Sequence, residues 1–523
     1  MGMISHVGVL QTKKETGIPL FLFAATILSR IPFRSRVLYH WDSVQYALAT
    51  EHYDISVHQP HPPGYFIYVM LGKLLNTITR DANTSFVILS ILASGALVVA
   101  VYALAKRMFN EKTALAASLL AMTSPIVWFH GEVALNYILE GFLSTLTAYY
   151  CWRTLTGEKK TIIAASLLLA FATGIRQTML MFLLPLWILS LVKVPSRYRL
   201  YAFALLASGI LFWFLPMISL TGGYMKYRQA SQEYFTYVIA PVLNSETSTF
   251  FYFLKTVVLF TLHGLGLAAA FLLFYFRSRS LKQQKNDLLS LKGLFFVLWT
   301  SPPILFYVLV TVTETNPGYS LIYLPAFIIL AANALAITVV TNKTLPKWFF
   351  KAGISVVLIF NSYMFSYSNS SFTYAFLKTQ EEGLDSFVRE VRERFSPENT
   401  IILARHYVFF GPRHFMYYLP EFRVYIINDK IPKQTIKRNT LWGRHHITYM
   451  ADGVHIPDGT KYFISPVEIN KVNLEAPIPC EQIVSGVVFA DGDEFRFCLY
   501  DINFAPVLYP EREFAGEEYN APK

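Results

Sequence analysis

Tyr39-His40-Trp41-Asp42-Ser43 opens the stretch of this chain richest in reactive side chains. Gln45, Tyr46, Glu51, His52 and Asp54 follow, then His58 and the run His61-Pro62-Pro63-Gly64-Tyr65. Four of the twelve histidines fall within residues 40–61. A carboxylate in such company can act as general base toward a hydroxyl. An alcohol is a far weaker acid than a carboxylic acid, so its proton should leave late, as a new C–O bond forms. The same carboxylate gives electrostatic help to an oxocarbenium-like centre, as carboxylates do in glycoside hydrolysis. The chemistry that suits Asp42 is transfer of a sugar from an activated phosphate carrier.

Other readings of the stretch are plainer. It could be a polar connector between two membrane spans, but connections of about 50 residues are rarely inert. Its histidines and tyrosines would then serve as interfacial anchors. His40, Asp42, His58 and His61 have metal-ligand chemistry, yet H-x-D and H-x-x-H across an irregular loop make no zinc signature. Magnesium or manganese would want more carboxylates. No metal and no other cofactor is therefore assigned. The His61–Tyr65 run also has a mechanical reading: paired prolines fix an extended entry, Gly64 permits a bend, and an aromatic-rich helix follows.

A second group of polar residues punctuates the apolar sequence further on. His130-Gly131-Glu132 sits between two apolar runs, with Asn136 and Glu140 after it. Carboxylates at membrane depth are functional candidates, although a paired structural role is nearly as common. Glu140 should face the protein interior. Arg176, in Gly174-Ile175-Arg176-Gln177, suits a phosphate-bearing ligand; its alternative roles are partner to Glu132 or snorkelling residue. Lys226 and Arg228 could meet an acidic acceptor or lipid headgroups. Asn316-Pro317-Gly318-Tyr319 reads as another turn, its tyrosine an interface aromatic.

The elements that must position these groups follow from composition. Of 523 residues, 54% are hydrophobic and only 15% charged, with a mean hydropathy of +0.39. Soluble globular chains carry about 25% charged residues, so an ordinary soluble enzyme is excluded. Three cysteines exclude a disulfide-built scaffold. Eleven apolar runs suit a bilayer: 17–33, 84–105, 113–129, 134–152, 161–174, 177–192, 200–220, 250–276, 293–312, 319–340 and 348–366. The first contains Arg30, expected to snorkel, and follows Lys13 and Lys14 with no A-x-A site after it. An uncleaved anchor is expected there rather than a signal peptide.

Residues 1–366 hold 28 Lys+Arg against 13 Asp+Glu, whereas 367–523 hold 17 against 21. The basic excess thus belongs to the apolar part, where orientation in the bilayer accounts for it, and no nucleic-acid partner is called for. If the ambiguous segment 62–79 lies along the interface rather than spanning, nineteen basic residues fall in inner loops and nine outside. The positive-inside rule favours that arrangement. It gives eleven spans, the amino terminus cytoplasmic and the carboxyl terminus outside.

After residue 366 the composition changes. Residues 372–395 read as an amphipathic helix ending before Ser396-Pro397, and β-prone runs follow at 399–404, 422–427, 461–465, 482–489 and 495–501. The organisation is an all-α polytopic membrane domain over 1–366, with its outer loop at 34–83, and a small α/β extracytoplasmic domain over 367–523. Cys480 and Cys498 flank neighbouring strands and could be bridged or free.

The chain resembles the GT-C superfamily of polytopic glycosyltransferases, which use polyprenyl-phosphate sugars and carry an acid in a large first outer loop. The nearest branch is marked by D-S near the first span and H-P-P-G-Y before the second, and is related to protein O-mannosyltransferases and aminoarabinose transferases. Here those motifs are Asp42-Ser43 and His61-Pro62-Pro63-Gly64-Tyr65, followed by Tyr68, Leu71, Gly72 and Lys73; a later E-V-x-x-L-N is Glu132-Val133-Ala134-Leu135-Asn136. The motif-bearing resemblance covers about residues 17–190. It implies inverting transfer with Asp42 as base, a lipid-linked monosaccharide as donor, and Arg176, with His61, on the donor phosphate. His40, Tyr65 and Asn136 would position substrate. Many relatives carry a second acid as D-E, E-D or D-S-G-E, where this chain has Gln45; Glu132 is the substitute. The acceptor could be lipid, glycan or protein, and the setting a bacterial inner membrane.

Two other functions fit a polytopic chain. A lipid-linked sugar flippase should place charges along a mid-membrane pathway, whereas these candidates cluster at one surface, and no internal repeat is evident. An O-antigen-type polymerase or ligase should show basic residues in large later loops, for which Lys226 and Arg228 are the only support.

Overall fold

The computed structural model describes residues 3–240, 250–278, 281–310, 316–341, 346, 348–368, 370–404, 408–426, 447–449, 462–464, 483–488 and 494–500. They form two compact units. The first comprises Met1–Ser35, Tyr65–Met217 and Val242–Leu377; the second comprises Arg36–Gly64, Ile218–Pro241 and Lys378–Lys523. The segment bearing Asp42 therefore groups with the carboxyl-terminal residues, not with the apolar helices that flank it in sequence.

The first unit is helical. In chain order it holds α1 (Met3–Arg30), α3 (Phe66–Thr79), α4 (Ala82–Met108), α5 (Glu111–Thr123), α6 (Pro125–His130), α7 (Tyr137–Leu155), α8 (Ile162–Ile175), α9 (Thr178–Val192), most of α10 (Ser196–Leu220), α12 (Phe250–Leu265), α13 (Ala269–Ser278), α14 (Leu281–Leu289), α15 (Leu291–Leu309), α16 (Leu324–Thr341) and α17 (Trp348–Tyr367). Among the described residues five helices are long and apolar enough to cross a membrane: Ala82–Met108, Ser196–Leu220, Phe250–Tyr275, Leu291–Leu309 and Trp348–Tyr367. Their outer faces are apolar, as lipid contact requires: Phe212 on α10 is 82% exposed and Phe251 on α12 is 77% exposed.

Helix α4 shows how sequence sets these elements. Asp81 caps it, its Oδ1 accepting from Thr84 N at 2.7 Å, and Lys106 and Arg107 complement the dipole at its last turn. Small residues let its neighbours approach closely. A Cβ on Gly95 would lie 2.9 Å from the Phe23 ring of α1. The expected span 113–129 is broken in two at Ser124-Pro125, because Pro125 has no N–H to continue α5. Ser124 Oγ instead donates to Gly264 O at 2.6 Å. Helix α3, with 14 residues, rises about 21 Å, too short for about 30 Å of hydrocarbon.

Arg30 does not snorkel. It is fully buried, donating to Met122 O at 2.7 Å and Ser29 Oγ at 3.0 Å, with its guanidinium 4.6 Å over the Trp128 ring. A carbonyl at the end of α5 and an aromatic face replace the headgroups that it was expected to reach.

The second unit is α/β. Its described elements are α2 (Trp41–Glu51), α11 (Tyr224–Tyr234), most of α18 (Tyr374–Arg394), α19 (Pro412–Tyr418), and strands β1 (Thr400–Ala404), β2 (Arg423–Ile426), β3 (Ile447–Tyr449), β4 (Tyr462–Ile464), β5 (Ile483–Val488) and β6 (Glu494–Tyr500). The sheet order is β3-β2-β1-β4-β6-β5, parallel except for β5 against β6. Leu384, Phe387 and Val391 recur at helical spacing along α18 and pack with Phe395 on Ile402, Phe415 and Val424. Strand β3 and helix α19 were not foreseen. Cys480 and the side chain of Cys498 lie outside the described residues.

Candidate active site

In the second unit, the Asp42 segment is fastened to the α/β core by backbone groups. Trp41 N donates to Val408 O at 2.7 Å, Leu38 N to Tyr418 Oη at 2.8 Å, and His414 Nε2 lies 3.1 Å from Leu38 O. Burial holds the His414 imidazole down to about 4, with its hydrogen bonds to the Leu38 and Tyr39 backbone opposing that shift.

Asp42 stands in the first turn of α2, where the helix dipole favours a carboxylate. His40 caps this helix with its imidazole: Nδ1 accepts from Asp42 N at 3.0 Å and lies 3.6 Å from Asp42 Oδ2. His61 Nδ1 lies 3.7 Å from Asp42 Oδ1 on the other side, and the Asp42 side chain is 15% exposed. Gln45, one turn along α2, accepts at Oε1 from His61 N at 3.0 Å and faces His61 Nδ1 at 2.6 Å. The Tyr234 ring, at the end of α11, stacks on His61 with centroids 5.7 Å apart and planes at 29°, and stands edge-on to His58 at 5.6 Å. His58 is kept neutral by burial, reinforced by the nearby Arg413 guanidinium and by proximity to His61, so its pKa lies well below the ordinary imidazole value.

The supporting contacts are equally local. Asp54 Oδ1 accepts from Ser56 N at 2.9 Å and Ser56 Oγ at 2.7 Å, while Oδ2 takes Lys226 Nζ at 2.9 Å. Lys226, considered above for an acidic acceptor or lipid headgroups, is thus an internal tie between residues 218–241 and 36–64. Glu51 and His52 are exposed.

The first unit holds Tyr65, Glu132, Asn136 and Arg176. Arg176 Nη1 faces Glu140 Oε2 at 3.4 Å and Tyr307 Oη at 3.5 Å, and its guanidinium lies 4.8 Å over the Tyr319 ring. Tyr307 and Tyr319 stack at 5.0 Å, and Tyr65 is an electrostatic neighbour. Asn136 Nδ2 donates to Glu140 Oε1. The acid that partners Arg176 is therefore Glu140, not Glu132. Glu132 is fully buried and interacts electrostatically with Arg30. Tyr319 is more than an interface aromatic, since it floors the Arg176 site.

Among the described residues no group of three or more His, Cys, Asp and Glu is arranged to hold a metal ion. The second unit offers a carboxylate between two imidazoles, suited to proton transfer. The first offers a guanidinium enclosed by one acid and tyrosines, suited to an anion. Sequence reasoning missed Tyr234 and Tyr307, which no spacing connects to the motifs, and saw Gln45 only as a missing acid.

Residues 60–220 match the dolichyl-phosphate-mannose-protein mannosyltransferase family model. No curated protein sequence matches the chain. Among solved structures, ArnT from Cupriavidus metallidurans in the apo state is 14% identical with a TM-score of 0.52, over 79% of this chain and 86% of that one. The same protein bound to undecaprenyl phosphate gives 13% identity, the same TM-score of 0.52 and the same coverage, 79% and 86%. The Archaeoglobus fulgidus oligosaccharyltransferase in complex with zinc and sulfate is 13% identical, with a TM-score of 0.41 over 77% of this chain and 62% of that one. The family match is confined to residues 60–220, and the likeness to ArnT is one of fold.

Proposed function

We propose that this protein moves a monosaccharide from a polyprenyl-phosphate carrier to an acceptor hydroxyl, with inversion, and that Asp42 is the base. The observation that carries the reading is the seat of Asp42: a largely shielded carboxylate at a helix N-terminus, between His40 Nδ1 and His61 Nδ1. As the acceptor oxygen attacks the anomeric carbon, the bond from that carbon to the phosphate oxygen breaks. The polyprenyl phosphate leaves with the electron pair, and Asp42 takes the acceptor proton. The matched family is named for a dolichyl-phosphate sugar and the ArnT structure holds undecaprenyl phosphate, which supports this class of carrier.

Arg176 is the residue proposed for the donor phosphate. Its contacts to Glu140 and Tyr307, at 3.4 and 3.5 Å, are long beside charge-assisted hydrogen bonds of about 2.7–2.9 Å. The guanidinium is held in place without being clamped. Glu132 is the proposed second carboxylate, and Tyr65 and Asn136 remain positioning candidates. His61, with Nδ1 turned toward Asp42 and Gln45, is read as orienting the base, as is His40. The eleven apolar runs each carry helix, which supports eleven spans; the basic excess in the inner loops supports the reading of a cytoplasmic amino terminus with the α/β unit outside, in a bacterial inner membrane.

The test is release of free carrier phosphate from a panel of polyprenyl-phosphate monosaccharides by purified protein. Asp42→Asn should remain folded in the membrane and lose transfer by about 10²- to 10⁴-fold, the range for a general base. Normal turnover by that variant defeats the assignment. A cysteine introduced at Lys106 should resist an impermeant thiol reagent added from outside.

A further inference from the structure

Helix α11 begins at Tyr224, directly after Gly222 and Gly223, whose φ angles of +91° and +105° turn the chain out of α10. One stripe of it, continued into the following π-helical turn, lines an open groove of about 690 Å³. Tyr224, Tyr227, Arg228, Ser231, Gln232, Phe235 and Thr236 form the lining. The spacing of these residues, 3, 4, 7, 8, 11 and 12 positions from the first, keeps them on one face. Tyr224 is 57% exposed and Phe235 is 56% exposed.

We propose that this stripe is the bed for a carbohydrate acceptor, a glycan chain whose hydroxyl is presented to Asp42. The inference rests on Asp42 being the base. Exposed rings stand at the two ends, separated by eleven residues or about 16 Å of helix rise, and hydroxyl, amide and guanidinium groups lie between them. Aromatic rings pack against the C–H faces of sugars, and Ser231, Gln232, Thr236 and Arg228 supply donors and acceptors for hydroxyls. A face turned to lipid would be apolar throughout, and this one carries non-aromatic polar side chains at four of its seven positions. A peptide would seek a free strand edge or an apolar groove, and the stripe offers neither. The volume lies within the range of about 300–1,000 Å³ common for ligand sites.

Continuity joins the stripe to the base. Tyr234, on the same helix and next to Phe235, stacks on His61, whose Nδ1 lies 3.7 Å from Asp42. A glycan lying along α11 is therefore led toward the carboxylate by the helix that also orients the flanking imidazole.

The test uses the full-length protein in lipid nanodiscs and a panel of free trisaccharides built from glucose, mannose or N-acetylglucosamine, with Ser- and Thr-containing peptides alongside. Binding is followed by calorimetry. At least one trisaccharide should bind, and Tyr224→Ala and Phe235→Ala should each weaken it tenfold or more while the thermal midpoint stays within a few degrees. Asp42→Asn should bind that trisaccharide like the parent. Binding of no trisaccharide, binding of peptides instead, or binding indifferent to both aromatic substitutions overturns the proposal. A spin label on Gln232→Cys that collides with lipid-soluble oxygen more than with an aqueous nickel chelate overturns it as well. If instead trisaccharide binding fails in the stripe variants but Asp42→Asn turns over normally, the base assignment falls and the stripe stands.

Discussion

His61 Nδ1 lies 2.6 Å from Gln45 Oε1 and 3.7 Å from Asp42 Oδ1. The Gln45 oxygen also receives the His61 backbone N–H at 3.0 Å. A backbone N–H can only donate, so the atom that it meets is an acceptor, and His61 Nδ1 must carry a proton to share it. Asp42 Oδ1 therefore lies beside a protonated ring nitrogen whose hydrogen goes to Gln45. On the opposite side the polarity reverses, because His40 Nδ1 accepts from Asp42 N and so presents its lone pair. Two imidazoles in opposite tautomers flank one carboxylate, and Gln45 fixes one of them.

Gln45→Leu is expected to leave His61 N–H groups buried without their acceptor. The cost should be about 1–3 kcal/mol of stability, with a fall in turnover beyond what that loss explains at a temperature where the protein remains folded. Gln45→Glu keeps an acceptor and should preserve the fold while placing a second negative charge near Asp42. Its signature is a displaced pH–rate profile. A profile identical to the parent's would show that Gln45 only supports the loop.

His40 makes two contributions that substitution can separate. His40→Ala removes the cap from α2 and should cost about 1 kcal/mol. His40→Asn restores a capping oxygen and should recover the melting temperature. Turnover should remain depressed in both variants if the imidazole beside Asp42 matters to proton transfer. Full recovery of transfer in His40→Asn would reduce His40 to a helix cap.

The second unit should be acid-labile through His414. Its imidazole, held at about 4 by burial, stays neutral in the folded chain while the unfolded chain takes up a proton near 6.5. Above pH 6.5 neither state is protonated and nothing is lost. Between about 6.5 and 4 only the unfolded state gains the proton, so stability falls with pH, by roughly 3 kcal/mol from this group alone. Buried His58 acts in the same direction. Melting curves from pH 8 to 4.5 should show the decline, and His414→Gln should flatten it; an unchanged slope in that variant removes His414 as the cause.

Much of this architecture is written in local pattern. The amphipathic spacing of Leu384, Phe387 and Val391 marks α18, the β-prone runs at 399–404 and 422–427 mark central strands, and Asp81 announces the start of α4. The break at Ser124-Pro125 was equally available, since a proline cannot continue a hydrogen-bonded turn. What sequence withheld depends on contacts between distant positions. Nothing periodic links Trp41 to Val408, or His414 to Leu38, yet those bonds draw the Asp42 segment into the α/β unit. Arg30 was misjudged because the carbonyl that receives it, on Met122, lies 92 residues away. Asp42, His61 and Arg176 were legible as chemistry. Their partners Gln45, Tyr234 and Glu140 were legible only as neighbours in space.

Arg176 and Glu140 give the sharpest separation of structure from function. Removing either partner of a buried ion pair leaves an uncompensated charge and typically costs about 3–5 kcal/mol, whereas removing both with residues of similar volume is often close to neutral. Glu140→Gln and Arg176→Met should therefore each destabilise the first unit, and the double variant should melt near the parent. If the pair were only a structural tie, transfer would recover together with stability. A role for Arg176 on the donor phosphate requires the opposite: the double variant regains its melting temperature but keeps a donor KM raised tenfold or more, with acceptor KM little changed. Recovery of donor KM in the stable double variant would take the phosphate away from Arg176 and leave the residue as the partner of Glu140.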